Sequence, residues 1–347
     1  MKWGAKGRKE MKPLLSGTII AASLATVISA PVSADEVVLR LSFFGGTNDS
    51  TYSKVVKPWL DGINADGKGI LKIEGYPAGS LVPNPRAQVK AVTDGVADIA
   101  FVVFSYTPGR FPDNSVMELP TLYKDVKESA DVIRTLYEKG MLRGFDQFYV
   151  PMLVTTYPYN FHTVKPVKTL ADLKGLKLRA GGPVAGAAMR AIGVVPVGMP
   201  IPAVAENISK GVLDGTAVDW NVMYSFRINE VAKNHYMQLF STVPIGLLML
   251  KKKFDALPPK AQELLKSHSG RVLDNSFVKV TTEIQAKWLA KTKATPGHTI
   301  VYPDAADEAA YQKIMDGVIA KWAKGNDRRQ KILGIVKAEL KKVRSGK

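Results

Sequence analysis

The segment from Leu173 to Asn221 carries the residues whose types and spacing best fit anion binding. Leu176-Lys177-Leu178-Arg179 alternates apolar and basic side chains, which is the period of a strand with one buried face. Gly181-Gly182-Pro183 follows, and an apolar run at helical spacing begins at Val184. The guanidinium of Arg179 is therefore predicted beside a helix N-terminus, where free N–H groups and the helix dipole favour an anion. We expect a carboxylate site, with a surface salt bridge as the alternative.

Residues 1–34 have the features of an export signal. Five basic residues and one acidic residue lie within them, an uncharged and largely apolar run follows over 14–28, and Val32-Ser33-Ala34 is a typical cleavage site. The run is short for a membrane span. We expect cleavage after Ala34 and a periplasmic mature protein, with an uncleaved anchor as the alternative.

The composition excludes several classes of function. The 347 residues include no cysteine, which rules out thiol chemistry and is typical of a periplasmic protein with a core large enough to need no disulfide. The net charge is +17, or +13 without residues 1–34, but the basic residues are dispersed along solvated helix faces such as 337–342. No nucleic-acid motif is present, so we expect no nucleic-acid partner.

Strand and helix patterns alternate along the mature chain, which predicts an α/β fold. Two helix-to-strand junctions match closely, Gly95-Val96-Ala97-Asp98 and Gly211-Val212-Leu213-Asp214. In each we expect glycine to end the helix in a left-handed conformation and the aspartate to bind N–H groups of the turn. The repetition predicts two related lobes with a cleft between them, where α/β proteins bind ligands.

Several elements are predicted by their apolar spacing. Strands are expected at 39–43, 71–76, 99–104, 216–220 and 298–302, and a helix is expected to begin at Pro85. The region from Pro259 to Ala294 has an apolar stripe and no internal proline, which predicts one long helix that spans both lobes.

Motifs along residues 37–320 resemble those of the substrate-binding proteins of tripartite ATP-independent periplasmic (TRAP) transporters, the DctP family. The similar segments are Tyr76-Pro77-Ala78-Gly79-Ser80-Leu81, Asp94-Gly95-Val96-Ala97-Asp98, Glu118-Leu119-Pro120, residues 170–179, Met199-Pro200 and residues 211–215. The resemblance implies a two-lobed periplasmic binding protein fold (a Venus flytrap) with a long helix across both lobes. It also implies that Arg179 grips a substrate carboxylate and that the loaded protein docks on TRAP membrane subunits.

The domain organisation expected on this basis has three parts. A signal peptide covers 1–34, lobe I covers 35–156 plus 245–284, and lobe II covers 157–244 plus 285–347. We expect a monomer that is not an enzyme and that holds neither a cofactor nor a metal ion.

Departures from the family pattern indicate the class of ligand. Where sialic-acid binders of the family have polar contacts, this chain has Phe44, Val103, Tyr159, Ala217 and Val218. A pocket with few donors should prefer a ligand with few oxygens, since a buried hydroxyl without a partner costs about 1–3 kcal/mol. We therefore expect a monocarboxylate with an apolar or aromatic body.

The predicted binding residues combine the cation with side chains at strand ends. They are Arg179, Tyr159, Phe44, Phe104, Trp220, Val218 and Asn221, with N–H groups of 182–185 completing the carboxylate contacts. The alternative for each aromatic residue is a position in the hydrophobic core, away from the ligand. A C4-dicarboxylate is the second candidate ligand, and it would need a further cation such as His162 or Lys54.

A periplasmic enzyme acting on organic acids is the rival class. The four histidines are scattered without metal-ligand spacing, and no G-x-S-x-G motif is present. Glu206 and Asp219 are the best candidates for a carboxylate pair, but their patterns favour structural roles.

Overall fold

The computed structural model describes Glu10 and residues 36–345, so nearly all of the predicted signal peptide lies outside the described residues. A five-stranded sheet forms the centre of what we call lobe I. From edge to edge it contains β2 (Leu71–Tyr76), β1 (Val37–Ser42), β3 (Ile99–Val103), β10 (Pro244–Leu250) and β4 (Phe148–Thr155). The strands β1, β2 and β3 are parallel, whereas β10 runs antiparallel to both of its neighbours.

A six-stranded sheet forms the centre of lobe II. Its order is β11 (Thr299–Val301), β9 (Asn234–Tyr236), β5 (Asn160–Thr163), β8 (Gly215–Val218), β6 (Lys177–Ala180) and β7 (Val195–Gly198). One strand, β5, again runs antiparallel to both neighbours. Two short crossovers, 156–159 and 237–243, connect the sheets. The prediction of a two-lobed α/β fold is thus confirmed.

Helices cover the faces of both sheets. They are α1 (Lys57–Asp66), α2 (Gln88–Thr93), α3 (Val126–Glu138), α4 (Pro183–Ala191), α5 (Val204–Ser209), α6 (Trp220–Ser225), α7 (Lys251–Asp255), α8 (Pro259–His268), α9 (Arg271–Ala294), α10 (Ala305–Ala323) and α11 (Asp327–Arg344). A π-helical turn, Tyr52–Val56, leads directly into α1. Among the described helices, none combines the length and hydropathy that a membrane crossing requires.

The two matching junctions have the same conformation in both lobes. Gly95 and Gly211 have φ angles of 75° and 70°. Asp98 accepts the backbone N–H of Arg40 at 2.8 Å, and Asp214 accepts that of Lys177 at 2.8 Å. Each aspartate therefore joins its own strand to the neighbouring strand, rather than binding the N–H groups of its turn as predicted.

The long helical region contacts both lobes, as predicted, but it consists of two helices. Gly270, with φ 67°, separates α8 from α9. On the lobe I side, Asp274 of α9 accepts the backbone N–H of Leu153 at 2.9 Å. On the lobe II side, the backbone N–H of Trp220 donates to Gln285 of α9 at 3.0 Å.

Of the two C-terminal helices, only α11 differs from the predicted lobe assignment. Helix α10 begins on lobe II, where Asp307 accepts the hydroxyl of Tyr236 at 2.8 Å. Helix α11 packs on lobe I instead, where Arg344 pairs with Glu128 at 2.7 Å. An amphipathic pattern specifies that a helix has a buried face but not which lobe covers it, so the remaining lobe boundaries stay a proposal.

Candidate functional site

Arg179 is the next-to-last residue of β6, and its side chain is buried between the lobes. It is 3% exposed, its Nε donates to the carbonyl of Met199 at 2.9 Å, and its Nη2 donates to the hydroxyl of Tyr106 at 2.9 Å. Among the described residues no carboxylate lies within 4.0 Å of its nitrogens. Since a buried charge without a counter-ion is costly, this guanidinium is suited to an anionic ligand.

A cavity between the lobes contains Arg179 and is otherwise mostly apolar. Its walls include aromatic and aliphatic side chains from both lobes and from α9, among them Phe44, Phe101, Val103, Tyr106, Tyr159, Ile201, Phe226, Ile245 and Phe277. Arg179 is the only Lys, Arg or His among the residues that line it in the described part of the chain. The site therefore combines one positive charge with mostly hydrophobic walls.

Four of the seven predicted binding residues line this cavity. Arg179, Tyr159, Phe44 and Asn221 all contribute to its walls, and each is less than one-tenth exposed. Burial is the main reason that the pKa of the Tyr159 hydroxyl lies well above its usual range, so this phenol stays neutral. It offers the ligand a donor and an aromatic face.

Phe104 is turned away from the cavity. Its ring packs inside lobe I, 4.8 Å from Phe111 and 5.3 Å from Phe145 between ring centroids. Strand β3 ends at Val103 and a 3₁₀ turn follows, so the alternation of the strand no longer applies. Tyr106, two residues on, takes the place predicted for Phe104.

Trp220 and Val218 also lie outside the cavity lining, in the interior of lobe II. The predicted strand through 220 stops at Val218, and Trp220 begins α6 instead. Its indole packs against both His162 and His235, at centroid distances of 4.9 and 4.8 Å. The carbonyl of Val218 is 3.1 Å from Nε2 of His162.

Three other residues considered in the sequence, His162, Lys54 and Glu206, do not line the cavity. His162 contacts His235 through their Nδ1 atoms at 2.8 Å, and burial lowers its pKa to about 4, so it supplies no positive charge. Lys54 is exposed on the surface. Glu206 pairs with Lys210 on an exposed helix face.

The N-terminus of α4 faces an acidic side chain rather than the cavity. Gly181 lines the cavity, but a Cβ at Gly182 would lie 2.9 Å from Oε2 of Glu118 in lobe I. Burial raises the pKa of Glu118 to about 7. Oε2 of Glu118 accepts no hydrogen bond from the described residues, so the role of the 182–185 N–H groups in holding the ligand stays a prediction.

Tyr106 joins the two lobes and was not identified from the sequence. Its hydroxyl oxygen accepts the backbone N–H of Ile201 at 2.9 Å as well as Nη2 of Arg179. Both partners belong to lobe II, whereas Tyr106 belongs to lobe I. Because the oxygen accepts two bonds, its own hydrogen remains available to an anion beside Arg179.

Two buried carboxyl groups, Asp49 and Asp219, also line the cavity. Burial raises the pKa of Asp49 to about 6, and burial with the nearby charge of Asp49 raises that of Asp219 to about 7. Each of the two aspartates caps the start of a helix. The sequence signal for such a cap is an aspartate just before an apolar helical pattern.

Comparison with known proteins identifies the family. The family model for bacterial extracellular solute-binding proteins, family 7 (DctP), matches residues 44–325. This chain belongs to that family.

Solved structures support the assignment. A marine metagenome TRAP solute-binding protein specific for aromatic acid ligands, solved with metahydroxyphenylacetate, is 30% identical, with a TM-score of 0.83, covering 88% of this chain and 99% of that one. A TRAP solute-binding protein of Rhodoferax ferrireducens T118, solved with copurified benzoate, is 27% identical and has a TM-score of 0.82. The match covers 89% of this chain and 99% of that one. The 2,3-diketo-L-gulonate-binding periplasmic protein of Escherichia coli K12 is 27% identical over 284 residues, 78% of this chain and 82% of that protein.

TRAP solute-binding proteins bind small carboxylates and pass them to a membrane complex, and the cavity has the components for the first of these steps. It combines a buried guanidinium, a hydroxyl that joins the lobes and apolar walls. Three of the positions that are polar in sialic-acid binders, Phe44, Val103 and Tyr159, line it and are apolar or aromatic here. Ala217 and Val218 are buried within β8 and do not line it.

Proposed function

We propose that this protein captures an organic monocarboxylate with an aromatic or apolar body in the periplasm and delivers it to a TRAP membrane complex. The observation that carries the proposal is Arg179, which is buried and has no carboxylate partner among the described residues. The ligand carboxylate occupies that position and receives a further hydrogen bond from Tyr106. The export signal would be cleaved after Ala34, and the protein would act as a monomer without catalytic turnover.

Ligand binding and lobe closure are coupled in this proposal. Arg179 belongs to lobe II and Tyr106 to lobe I, so a carboxylate held by both favours the closed form over the open one, as a population shift requires. Phe44 and Phe101 of lobe I then cover the ligand body, and each Å² of apolar surface removed from water adds about 25 cal/mol.

The relatives favour an aromatic acid over a C4-dicarboxylate. The metagenome protein is described as specific for aromatic acids and the Rhodoferax protein carries benzoate. A dicarboxylate would place its second charge in a cavity lined by Asp49 and Asp219, with no cation besides Arg179 among the lining residues that are described. We expect that placement to be unfavourable.

A thermal-shift screen of the purified protein tests this proposal. The panel is benzoate, 3-hydroxybenzoate, phenylacetate and mandelate, against succinate and malate. A ligand that binds only the native state adds about 2.7 kcal/mol of stability at one hundred times its Kd, which gives a clear shift. We expect shifts with the aromatic acids. Shifts with succinate and malate alone would contradict the ligand class, and turnover of any acid would contradict the binding-only role.

A further inference from the structure

Gly182 marks a point of close approach between the two lobes, next to the binding site. It is the N-cap residue of α4 in lobe II and lies three residues after Arg179. A Cβ built on it would lie 2.9 Å from Oε2 of Glu118 and 3.0 Å from Cβ of Ser105, both in lobe I. Carbon atoms in well-packed contacts lie about 3.5–4.0 Å apart. In this arrangement of the lobes, residue 182 therefore has no room for a side chain.

The backbone conformation of Gly182 does not itself require glycine. Its φ of −163° and ψ of 175° are extended angles, which other residues adopt readily and β-branched residues favour. Glycine is a tolerated N-cap, but serine, aspartate and asparagine serve that position at least as well. What glycine alone provides is the absence of a Cβ. The need for glycine here comes from the opposite lobe and not from the local chain.

The lobe I side of this contact is held in place. Ser105 is 7% exposed and lies between two anchored residues, since the ring of Phe104 packs in the core of lobe I and the hydroxyl of Tyr106 is bonded to lobe II. Glu118 is 5% exposed, and its carboxyl group lies beside the Ser105 hydroxyl. A Cβ at residue 182 is therefore accommodated most easily by separating the lobes.

We propose that the absence of a side chain at residue 182 lets the lobes close fully over the bound acid, so that Gly182 is a positioning residue for the closed form. This inference rests on the proposed function, because it concerns the closure that holds the acid. Ser105 immediately precedes Tyr106, so a separation of the lobes at Gly182 also draws the Tyr106 hydroxyl away from Arg179. The carboxylate then loses its contact with lobe I, and the acid favours the closed form less.

Side chains of increasing size at residue 182 test the inference in the purified protein at pH 7.5. The affinities of benzoate and 3-hydroxybenzoate are measured by titration calorimetry for the native protein, Gly182→Ala and Gly182→Val. We expect overpacking of the closed contact to lower the affinity about fivefold with alanine and at least about 30-fold with valine. The N-cap preference of residue 182 acts equally in the open and closed forms, so it changes stability but not affinity.

Gly198→Ala and Gly198→Val are the matched controls. Gly182 and Gly198 line the same cleft between the lobes, and Gly198 is the last residue of β7 in lobe II. A Cβ at Gly198 would have no atom of the described residues within 4 Å. Both control variants should bind the two acids as tightly as the native protein does. Equal losses of affinity at residues 182 and 198 would overturn the inference.

Rates and molecular dimensions distinguish a loss of closure from a loss of the binding site. Closure holds the acid after it has met Arg179, so Gly182→Val should raise the dissociation rate and change the association rate less than about twofold. In small-angle X-ray scattering, saturation with 3-hydroxybenzoate should reduce the radius of gyration of the native protein more than that of Gly182→Val. An affinity loss caused by slower association, or an equal reduction in both proteins, would overturn the inference.

The variant Ser105→Gly tests the contact itself. Without the Cβ of Ser105 there is room for one methyl group, and the carboxyl end of Glu118 can rotate into the space that remains. In the Ser105→Gly background, Gly182→Ala should therefore lower the affinity less than about twofold, against about fivefold in the native background. An equal loss in both backgrounds would overturn the assigned contact.

Failure of this inference would be distinguishable from failure of the proposed function. If the native protein binds aromatic acids and Gly182→Val binds them as tightly, residue 182 does not limit closure, while the role of Arg179 in binding is unaffected. If the native protein binds no acid of the panel, the proposed function fails and this inference fails with it.

Discussion

In the part of the chain that the structure describes, two arginines are almost fully buried, and their surroundings are opposite. Arg134 is 4% exposed and forms two hydrogen bonds with the carboxylate of Asp274, which also accepts the N–H of Leu153. Arg179 is 3% exposed and meets only neutral oxygens, from Met199 and Tyr106. Arg134 therefore has its own counter-ion, whereas Arg179 has none among the described residues, as our proposal requires of an arginine that binds an anionic ligand.

The largest effect is expected at the structural arginine. Arg134→Met leaves Asp274 buried without its partner, which should lower the free energy of unfolding by about 3–5 kcal/mol. Urea unfolding without ligand measures this loss. A change under about 1 kcal/mol would show that the pair is not needed for stability and would weaken the contrast with Arg179.

The binding arginine should respond in the opposite way. Arg179→Met removes a buried charge that has no counter-ion among the described residues, so the ligand-free protein should keep its stability or gain some. Its affinity for aromatic acids should fall by at least about 100-fold. The same urea unfolding series and a calorimetric titration give both numbers. Loss of stability with affinity retained would make Arg179 a second structural arginine.

Tyr106→Phe should have an intermediate effect, because it keeps the ring and removes the oxygen shared by Arg179 and Ile201. We expect the affinity to fall about tenfold, through loss of one ligand donor and of the hydrogen bonds between the lobes. Tyr123→Phe, in the core of lobe I, is a control that should leave affinity unchanged. Equal losses in the two variants would argue against a specific role for Tyr106.

The smallest effect is expected from pH. The pKa of Asp219 is raised from 3.8 to about 7 in the folded protein, so its ionisation destabilises the native state as pH rises through about 4 to 7. Asp219→Asn lacks this ionisation, and its Tm relative to the native protein should increase by about 2–4 °C between pH 5 and pH 8. Ligand-free thermal unfolding at four pH values measures it. If the Tm difference between the variant and the native protein did not change with pH, Asp219 would not titrate in this range.

The sequence was sufficient to predict the two-lobed architecture and the position of Arg179 near a strand end. Alternation within β6 and the glycines after it placed Arg179 at a strand end, and the paired Gly–Asp junctions indicated two related lobes. These signals are local, so tertiary packing did not change them. Arg134 carries no such signal, because its partner Asp274 is 140 residues away.

The residues that were misplaced or missed depend on where an element ends. Phe104 and Trp220 were predicted from strand alternation that stops before each of them, and the turn or helix that follows redirects the side chain. Asp49 and Asp219 have the pattern of ordinary helix caps, so their position at the cavity is visible only once the two lobes are brought together. The packing of α11 on lobe I likewise follows from tertiary contacts and not from its own pattern.

The central claim is that Arg179 binds the charge of an acid, and one comparison of ligands tests it without altering the protein. The affinities of 3-hydroxybenzoate and of its primary amide, 3-hydroxybenzamide, are measured by calorimetry on the native protein at pH 7.5. The two ligands have nearly the same shape and differ in charge. We predict that the carboxylate binds at least about 100-fold more tightly, because only it neutralises the buried guanidinium. Equal affinities would contradict the account.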